Sequence, residues 1–475
     1  MPARASRGLA SATRSRYTPT STRGCWLRPP VTGTPRSPAS NGPGTPTPVS
    51  TTRSGLVEWS ATPTGRSTRK HLSGTRVSAT TWATAESART DRCPPPDDDA
   101  KRKAVPLTTS IRPARFSWFL PLSPDVHHIG TWPPECGTPD LPRLTSIAQT
   151  AEDAGCSELL VPTTFDNDLE AFTTAAAVLS RTSRVGALIA VRPNQLHPCQ
   201  AAHMVASLEA IFPGRIRLNV TTGGWAEDRW IGDTDDRESR LSRLSEWLEL
   251  LTRVLYDGRP VHHHGTWYNA EGMRLRVPPG RRIPLAMSGS SPQARQALSQ
   301  HGSEYLMFAA PREQVVREVR ALRATPGLPP DIKVTMRAHL VVRETTDEAW
   351  AAAHEITSQV SERVLATVQA QRHAPGSQRT RQSALSAGND LVVGPNLWAG
   401  IGTARFGASI ALVGDPEQIT ERLTEFREDG VDGFILSGYP KLEEAQVFRD
   451  VLVPSLRARG LMGGRHGDGT RAADV

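Results

Sequence analysis

The stretch that decides the fold is "KVTMRAHLVVRE", residues Lys333–Glu344. Successive side chains of a strand point to opposite faces, so each face can be read from alternate residues. One face carries Arg337 and His339, with Thr335 before them and Val341 after them. The other face is entirely apolar and consists of Val334, Met336, Ala338, Leu340 and Val342. This pattern predicts a strand with one apolar face and one face that carries an arginine beside a histidine.

Short apolar runs of this kind alternate with helical patterns from residue 114 onward. The predicted strands are residues 115–121, 157–163, 184–193, 215–222, 283–289, 304–310, 333–342 and 432–438. The predicted helices are residues 140–155, 168–182, 198–212, 236–256, 291–301, 312–324, 345–372 and 416–429, with a final helix near 441–457. Eight strands alternating with eight helices predict an α/β fold, a (β/α)₈ TIM barrel with insertions. An open doubly wound sheet is the alternative, but "FLPLSPDVHH" is not the glycine-rich turn expected after its first strand.

Residues 1–113 differ from the rest of the chain in composition. They are rich in Ser, Thr, Pro, Arg and Gly and contain no apolar run long enough to form a core. We therefore predict a disordered segment, which is a transit peptide, an arm for a partner, or a stretch ahead of a true start near Val105. The barrel is predicted over residues 114–460, and residues 461–475 are predicted to form a disordered tail.

The charge of the chain is unevenly distributed. The whole sequence carries +8, but residues 1–113 alone carry +12, which leaves −4 for the predicted barrel. A mildly acidic barrel without a basic, aromatic-rich patch argues against nucleic-acid binding. No apolar stretch reaches the roughly 18 residues that span a bilayer, so no membrane association is expected. The five cysteines show no paired spacing, which favours a reducing cytoplasm, and three histidines in a row at 262–264 favour a polar loop or edge strand over a metal site.

The polar face of the opening stretch points into the barrel if the fold is correct. The outer face of a barrel strand meets helices, while the inner face becomes functional toward the strand's C-terminal end. Strand four repeats the pattern, with Arg217, Asn219 and Thr221 on the inner face. Two structural alternatives remain, a solvent-facing antiparallel strand and an arginine paired with a glutamate inside the barrel. The functional alternative predicts an anionic ligand for Arg337.

A phosphate site is suggested where the predicted strand 283–289 meets the next helix. The turn Gly289-Ser290-Ser291 offers backbone N–H groups, two hydroxyls and a positive helix end. A Gly-Ser helix cap is also common without any ligand. Together with a polar barrel mouth, the turn predicts a cofactor site, to which Asn219 and Thr222 of strand four are assigned as well.

Several longer motifs resemble a known family. The chain from about Arg115 to Ser455 is similar to the flavin-dependent alkanesulfonate monooxygenases of the bacterial luciferase-like superfamily. The resemblance rests on "RFSWFLPLSPD", "VRPNQLHP", "GRIRLNVTTGG", "SGSSPQARQ", "MRAHLVVRETTDEAW", "PNLWAGIGTARFGASIALVGD" and "DGFILSGYPKLEEA". It implies a (β/α)₈ barrel that binds reduced FMN supplied by a separate NAD(P)H-dependent FMN reductase. With O₂, such an enzyme cleaves the C–S bond of a small organosulfonate to sulfite and an aldehyde.

The resemblance also implies a set of catalytic residues. Arg337 and His339 match the family's Arg-x-His strand, Arg405 in "GTARFG" matches its loop arginine, and Tyr439 in "SGYP" matches its tyrosine. The arginines would hold an anion in bidentate geometry, and His339 or Tyr439 would move a proton. Closure of residues 373–405 would exclude water. A homo-oligomer is expected.

This sequence departs from the family at four positions. Ser123 replaces a histidine after the first strand, and Asn167 or Asp168 stands at the place of a cysteine. Leu241 replaces a tyrosine near the flavin phosphate, and Lys441 replaces a histidine. Two alternatives therefore accompany the monooxygenase prediction: a deazaflavin (F420)-dependent oxidoreductase of the same superfamily and a catalytically silent flavin-binding barrel.

Overall fold

The structure, a computed structural model, describes residues 112–134, 139–370, 378–388 and 391–463. The predictions for residues 1–111 and 464–475 lie outside these ranges. Thirteen strands occur in the described residues: β1 Arg115–Phe119, β2 Glu158–Val161, β3 Gly186–Val191, β4 Ile216–Val220, β5 Val261–His264, β6 Asn269–Met273, β7 Leu285–Met287, β8 Glu304–Phe308, β9 Lys333–Val342, β10 Val392–Gly394, β11 Leu397–Trp398, β12 Ala411–Gly414 and β13 Gly433–Ser437.

Eight of these strands close into a parallel barrel. The order around the barrel is β1, β2, β3, β4, β7, β8, β9 and β13, and β13 pairs again with β1. Each of the eight corresponds to one predicted strand. The α/β (β/α)₈ barrel is therefore confirmed, since closure of a parallel sheet requires the alternating helices that the sequence pattern showed.

Helices follow the barrel strands on the outside. They are α1 Leu141–Ala154, α2 Ala171–Leu179, α3 Pro198–Ile211, α4 Arg237–Tyr256, α5 Pro292–His301, α6 Arg312–Arg323, α7 Thr346–Thr357, α8 Glu362–Ala370, α9 Gln378–Leu385, α10 Ile401–Ala404, α11 Pro416–Glu428, α12 Lys441–Val447 and α13 Val453–Ala458. A short 3₁₀ helix, Ala226–Ile231, precedes α4, and a π-helical turn, Phe448–Leu452, joins α12 to α13. Side chains cap several helices as the sequence indicates; Thr345, for example, accepts the backbone N–H of Glu348 at the start of α7.

The two faces of the barrel strands carry different side chains. The outward apolar side chains of β9 belong to the main core, where they pack against the helices together with those of β4. A smaller apolar cluster, Leu160, Leu188, Ala286, Leu306 and Ile435, fills the inside of the barrel. Arg337 and His339 are buried on this inner face, as expected. The alternation in the opening stretch therefore reflects a barrel strand and not a solvent-facing antiparallel strand.

The N-terminal end of the barrel is closed by an ion network. Arg217 of β4 donates to Glu158 of β2 at 2.8 and 2.9 Å and contacts Glu304 of β8. Arg115 of β1 also reaches Glu304 and lies 4.0 Å from Glu158. Burial alone would raise the pKa of Glu158, but Arg217 and Arg115 lower it below its ordinary value. Arg217 therefore lies on the inner face, as predicted, and its two carboxylate partners make it a structural residue.

The predicted helix over residues 345–372 is two helices. Hydroxyl groups explain the break, because Ser358 donates to the carbonyl of Glu355 at 2.9 Å and ends α7. The Ser361 hydroxyl then accepts the N–H of Val364 at 3.3 Å at the start of α8. Residues 371 and 372 lie outside the described ranges.

The region between α8 and α11 holds structure that the sequence pattern did not predict. β12 pairs in parallel with the C-terminal part of β9, placing Ala411 beside His339, and β11 pairs antiparallel with β12. α9 docks here through Gln382, which donates to the carbonyl of Ala309 at 2.8 Å and accepts from Ser409 at 2.8 Å. This region therefore packs at the C-terminal ends of β8 and β9.

Three smaller features complete the fold. The three successive histidines lie in β5, an edge strand of a two-stranded hairpin with β6, and no metal-binding group of His, Cys, Asp or Glu occurs among the described residues. Leu461 and Met462 pack in the core, so the folded chain extends past the predicted boundary at residue 460. No helix in the described part of the chain is long and apolar enough to cross a membrane.

Candidate functional site

Arg337 lies at the centre of the C-terminal end of the barrel, hereafter the mouth. Its side chain is 7% exposed, and its guanidinium donates to the Ser437 hydroxyl at 2.6 Å and to the carbonyl of Ala338. The guanidinium carbon also lies 5.1 Å from the ring centroid of Phe119. Burial, followed by the charge of Arg405, lowers the pKa of Arg337 to about 9. A cation with only neutral partners in a buried position favours binding an anion.

His339 is buried beside Arg337 and is fixed from both ring nitrogens. Nε2 lies 3.1 Å from the carbonyl of Ala408, which can only accept, so Nε2 carries the proton. Nδ1 lies 3.2 Å from the Ser437 hydroxyl and accepts its hydrogen. Burial and the charges of Arg337 and Arg405 hold the pKa of His339 well below its ordinary value. The ring is therefore neutral, both of its nitrogens are engaged in hydrogen bonds, and it orients Ser437 instead of transferring a proton.

Tyr439 connects the second arginine to this group. It follows β13, its ring stacks on His339 with centroids 5.3 Å apart, and its hydroxyl accepts a hydrogen bond from Arg405. Arg405 directly follows α10 and is held by the carbonyl of Phe406 at 3.2 Å. Burial would raise the pKa of Tyr439, but Arg405, Lys441 and Arg337 together lower it. Of the groups that sequence analysis proposed for proton transfer, Tyr439 is the one suited to it.

Lys441 adds a third cation to the mouth. Its ammonium lies 3.6 Å from the centroid of the Tyr439 ring, and the side chain is buried. Burial lowers the pKa of Lys441. Among the described residues, no carboxylate forms a hydrogen bond or ion pair with the side chain of Arg337, Arg405 or Lys441. The structure thus brings together all four predicted catalytic residues and adds Ser437 and Lys441.

The residues assigned to the cofactor lie at the ends of two neighbouring strands. Asn219 and Thr222 are at the end of β4, which pairs with β7, and the turn at residues 289–291 follows β7. Gly289 has φ +122°, and a Cβ there would lie 2.8 Å from the Ala294 Cβ, so only glycine fits the turn. Ser291 caps α5 by accepting the N–H of Ala294.

A cation contributed by α9 completes this turn. Arg381 donates to the Ser290 hydroxyl at 3.0 Å and lies 3.2 Å from Glu318. It comes from the long polar segment after α8, so neither strand alternation nor helix capping could assign it to the turn. A helix N-terminus, two hydroxyls and a guanidinium together form a surface suited to a phosphate group.

Buried amide groups without partners surround the mouth between these two parts. Asn167 and Gln195 follow β2 and β3; their side-chain oxygens accept from Ser123 at 3.3 Å and Thr163 at 3.1 Å, whereas their amide nitrogens bind no described group. The Asn219 side-chain oxygen on β4 is also buried without a partner. Two donors and one acceptor in a row fit the alternating carbonyl and N–H groups of a flavin ring edge. The residues present therefore fit a flavin.

The four departures from the family pattern have different consequences. Ser123 and Asn167 bond to one another, so the first two loops are linked by neutral groups. Leu241 is packed in the main core and not in the phosphate turn. Lys441 keeps a positive charge beside the tyrosine.

A cavity of about 410 Å³ lies on the outer side of Tyr439, lined also by Arg343, Ile356, Pro440, Glu444 and neighbouring residues.

Comparisons with known proteins agree with this architecture. The family model described as luciferase-like monooxygenase matches residues 114–433. A long-chain alkane monooxygenase is 19% identical, with 76% of this chain and 94% of that chain covered and a TM-score of 0.61. An EDTA monooxygenase from Chelativorans sp. BNC1 is 18% identical, with 74% and 95% covered and a TM-score of 0.58.

A structure of an F420-dependent secondary alcohol dehydrogenase is also similar, at 18% identity, with 73% of this chain and 99% of that chain covered and a TM-score of 0.51. At these low sequence identities, the similarity to the solved structures shows the shared fold alone. The family match covers most of the chain, including seven of the eight barrel strands and three of the mouth residues, and it confirms the prediction of an enzyme, a flavin-dependent monooxygenase. The chain belongs to the luciferase-like monooxygenase family.

Proposed function

We propose that this enzyme uses reduced FMN and O₂ to cleave the C–S bond of a small organosulfonate. The observation that carries the proposal is the pair Arg337 and Arg405, two cations at the mouth that have no carboxylate partner among the described residues. A sulfonate stays ionised at physiological pH, and arginines bind it in planar, bidentate geometry. The substrate anion therefore supplies the negative charge that no carboxylate of the described residues provides.

Two groups of residues would hold the flavin. Ser290, Ser291 and Arg381 would bind its phosphate, since they combine hydroxyls, a helix start and a guanidinium. Asn167, Gln195 and Asn219 would bind the polar edge of the ring, because they carry the buried unpaired amide atoms. When bound, the reduced flavin supplies the two electrons that activate O₂. A separate NAD(P)H-dependent reductase would deliver it.

The overall reaction balances without any further reactant. The sulfonate R–CH₂–SO₃⁻, O₂ and FMNH₂ give the aldehyde R–CHO, hydrogensulfite, FMN and water. The C–S bond breaks, one oxygen atom enters the aldehyde and the other leaves as water. In this account Arg337 and Arg405 hold the sulfonate, Ser437 and neutral His339 fix the guanidinium of Arg337, and Tyr439 holds or donates a proton.

Sulfite release from a panel of alkanesulfonates tests the proposal. The assay contains full-length protein, FMN, an NAD(P)H-dependent FMN reductase and O₂. We expect sulfite and the aldehyde in equal amounts, only when protein and substrate are both present. No sulfite and no substrate-dependent oxygen consumption would favour a catalytically silent flavin-binding barrel.

A second candidate is a deazaflavin-dependent oxidoreductase, because an F420-dependent dehydrogenase has a similar fold. Such an enzyme moves a hydride without O₂ and needs no anion site for a sulfonate. Titration of the protein with reduced FMN and with reduced deazaflavin separates the two. Tight binding of the deazaflavin alone would exclude the FMN reaction.

A further inference from the structure

The third cation of the mouth has no role in binding a single sulfonate. Two arginines, Arg337 and Arg405, already suffice for one sulfonate group, and Lys441 stands beside them on Tyr439. We infer that the substrate carries a second anionic group, such as a carboxylate, and that Lys441 binds it. The inference rests on the proposed function and narrows the substrate class to dianionic sulfonates.

The position of Lys441 is fixed by contacts with its surroundings. The side chain is 5% exposed, and the ammonium lies 3.6 Å from the Tyr439 ring centroid. The backbone N–H groups of Lys441 and Leu442 donate to the Asp125 carboxylate at 2.6 and 3.2 Å, which fixes the start of α12. A flexible lysine is thereby held with its charge directed at the catalytic tyrosine.

Asp125, whose charge partly offsets the lowering of the pKa of Lys441 by burial, forms its hydrogen bonds with other groups. Asp125 accepts from the Arg143 guanidinium at 2.7 and 3.1 Å, in addition to the two backbone N–H groups at α12. The Tyr439 ring offsets only part of the desolvation of a buried ammonium, because a ring face is a weaker partner than a carboxylate. A ligand anion would provide the missing partner.

A neighbouring cation shows how the same part of the chain treats a charge that needs no ligand. Arg343, at the end of β9, lines the cavity beside Tyr439 and donates to Glu444 at 2.7 and 3.2 Å. Lys441 lies in the same region and receives no such carboxylate. The difference between the two cations is what a binding role for Lys441 requires.

Lys441 could instead balance the negative charge of the reduced flavin, and this alternative makes a different prediction. A charge-balancing lysine would strengthen reduced FMN binding and would not distinguish between substrates. A substrate-binding lysine would distinguish a dianion from a monoanion of the same length. Binding measurements can therefore separate the two roles without turnover.

The test compares two ligands of matched length, 1-propanesulfonate and 3-sulfopropanoate. Isothermal titration calorimetry measures their binding to the full-length protein with oxidised FMN and no reductase, so that no reaction occurs. We expect the wild type to bind 3-sulfopropanoate at least about tenfold more tightly, as one hydrogen-bonded charge pair provides. Lys441→Gln should reduce the preference to about twofold or less, and Lys441→Arg should keep most of it.

Lys333→Gln is the matched control, because Lys333 is the other lysine of the described residues and lies exposed at the far end of β9. It should keep the full preference, and thermal unfolding checks that every variant is folded. Equal binding of the two ligands by the wild type, no binding of either, or a preference that survives in Lys441→Gln would overturn the inference. Sulfite release is measured separately. Sulfite with equal binding would refute only this inference, and a preference without sulfite would refute only the sulfonate reaction.

Discussion

The two ends of the barrel contain buried or partly buried arginines whose partners differ. At the N-terminal end, Arg217 is neutralised by Glu158 and Glu304, two carboxylates that belong to the fold. At the mouth, Arg337 and Arg405 have only neutral partners among the described residues. Both sets lie on inner strand faces and have the same residue type. At these two ends, the partners, and not the residue type or the face, distinguish the arginine that stabilises the fold from those proposed to bind a ligand.

At the N-terminal end the charge of Arg217 is balanced by the protein itself, whereas at the mouth the arginine charges require a bound anion. A buried ion pair that loses one member leaves an uncompensated charge, which is strongly destabilising. A buried cation without a counterion already has this cost in the free protein, and a bound anion removes it. Substitutions at the N-terminal end should therefore lower stability more than activity. Substitutions at the mouth should lower activity more than stability.

The largest effect is expected for Arg337→Met. The change removes a cation that holds the substrate anion, so kcat/KM for the sulfonate should fall by about 10³-fold or more, or about 4 kcal/mol. The free energy of unfolding should stay within about 1 kcal/mol of wild type or rise, because no carboxylate loses its partner. Sulfite release and urea unfolding measure the two quantities. Full turnover in the variant would remove Arg337 from the mechanism.

The opposite result is expected for Glu304→Gln. This change leaves the charge of Arg217 only partly compensated, so the free energy of unfolding should fall by about 3 kcal/mol. Glu344→Gln, an exposed position just after the C-terminal end of β9, is the matched control and should unfold as the wild type does. Urea unfolding measures both. If Glu304→Gln were as stable as its control, the ion network would not be structural.

Acid should weaken the mouth before it weakens the network. The pKa of His339 is lowered from 6.5, so its contribution to stability is complete above pH 6.5 and is lost as the pH falls below it. The pKa of Glu158 is lowered from 4.5, so its contribution is lost only below about that pH. Unfolding between pH 6.5 and 5.5 should therefore show a slope of up to about 1.4 kcal/mol per pH unit from His339.

The variant His339→Asn isolates this slope, since the other titrating groups remain. The difference in the free energy of unfolding between wild type and variant should shrink or reverse as the pH falls through this range. A difference that is constant from pH 7 to 5 would mean that His339 is not held neutral by its surroundings.

The smallest effect concerns the phosphate turn. Gly289→Ala places a Cβ 2.8 Å from the Ala294 Cβ at φ +122°, a strain of about 1–2 kcal/mol that shifts the turn. FMN binding, followed by flavin fluorescence, should weaken by about tenfold. Gly327→Ala is the control, because φ is +74° but nothing lies within 4 Å. Equal FMN affinity in both variants would separate the turn from flavin binding.

The fold could be predicted from the sequence because its signal is local. Each barrel strand is a short apolar run between caps and turns, and all eight were found where the alternation placed them. The break after α7 and the short strand β12 were missed, because a few hydroxyls and a four-residue run give little periodicity. The predictions for residues 1–111 stay predictions.

The site could be predicted only in part, because its meaning depends on distant partners. Alternation showed that Arg217 and Arg337 point inward, but it does not give the height of a side chain along the barrel. Glu158 and Glu304, which make Arg217 structural, are 59 and 87 residues away from it in sequence. Arg381 and the hydrogen bonds of Ser437 likewise come from long-range packing. Arg405 and Tyr439 were identified only through the family resemblance.

The most direct measurement of the central claim is the binding of 1-propanesulfonate to three proteins by isothermal titration calorimetry. These are the wild type, Arg337→Met at the mouth and Glu304→Gln at the N-terminal end of the barrel. Arg337→Met should bind about 100-fold more weakly than wild type, whereas folded Glu304→Gln should bind within about threefold of it. Unchanged binding by Arg337→Met, or an equal loss in Glu304→Gln, would contradict the distinction between the two ends.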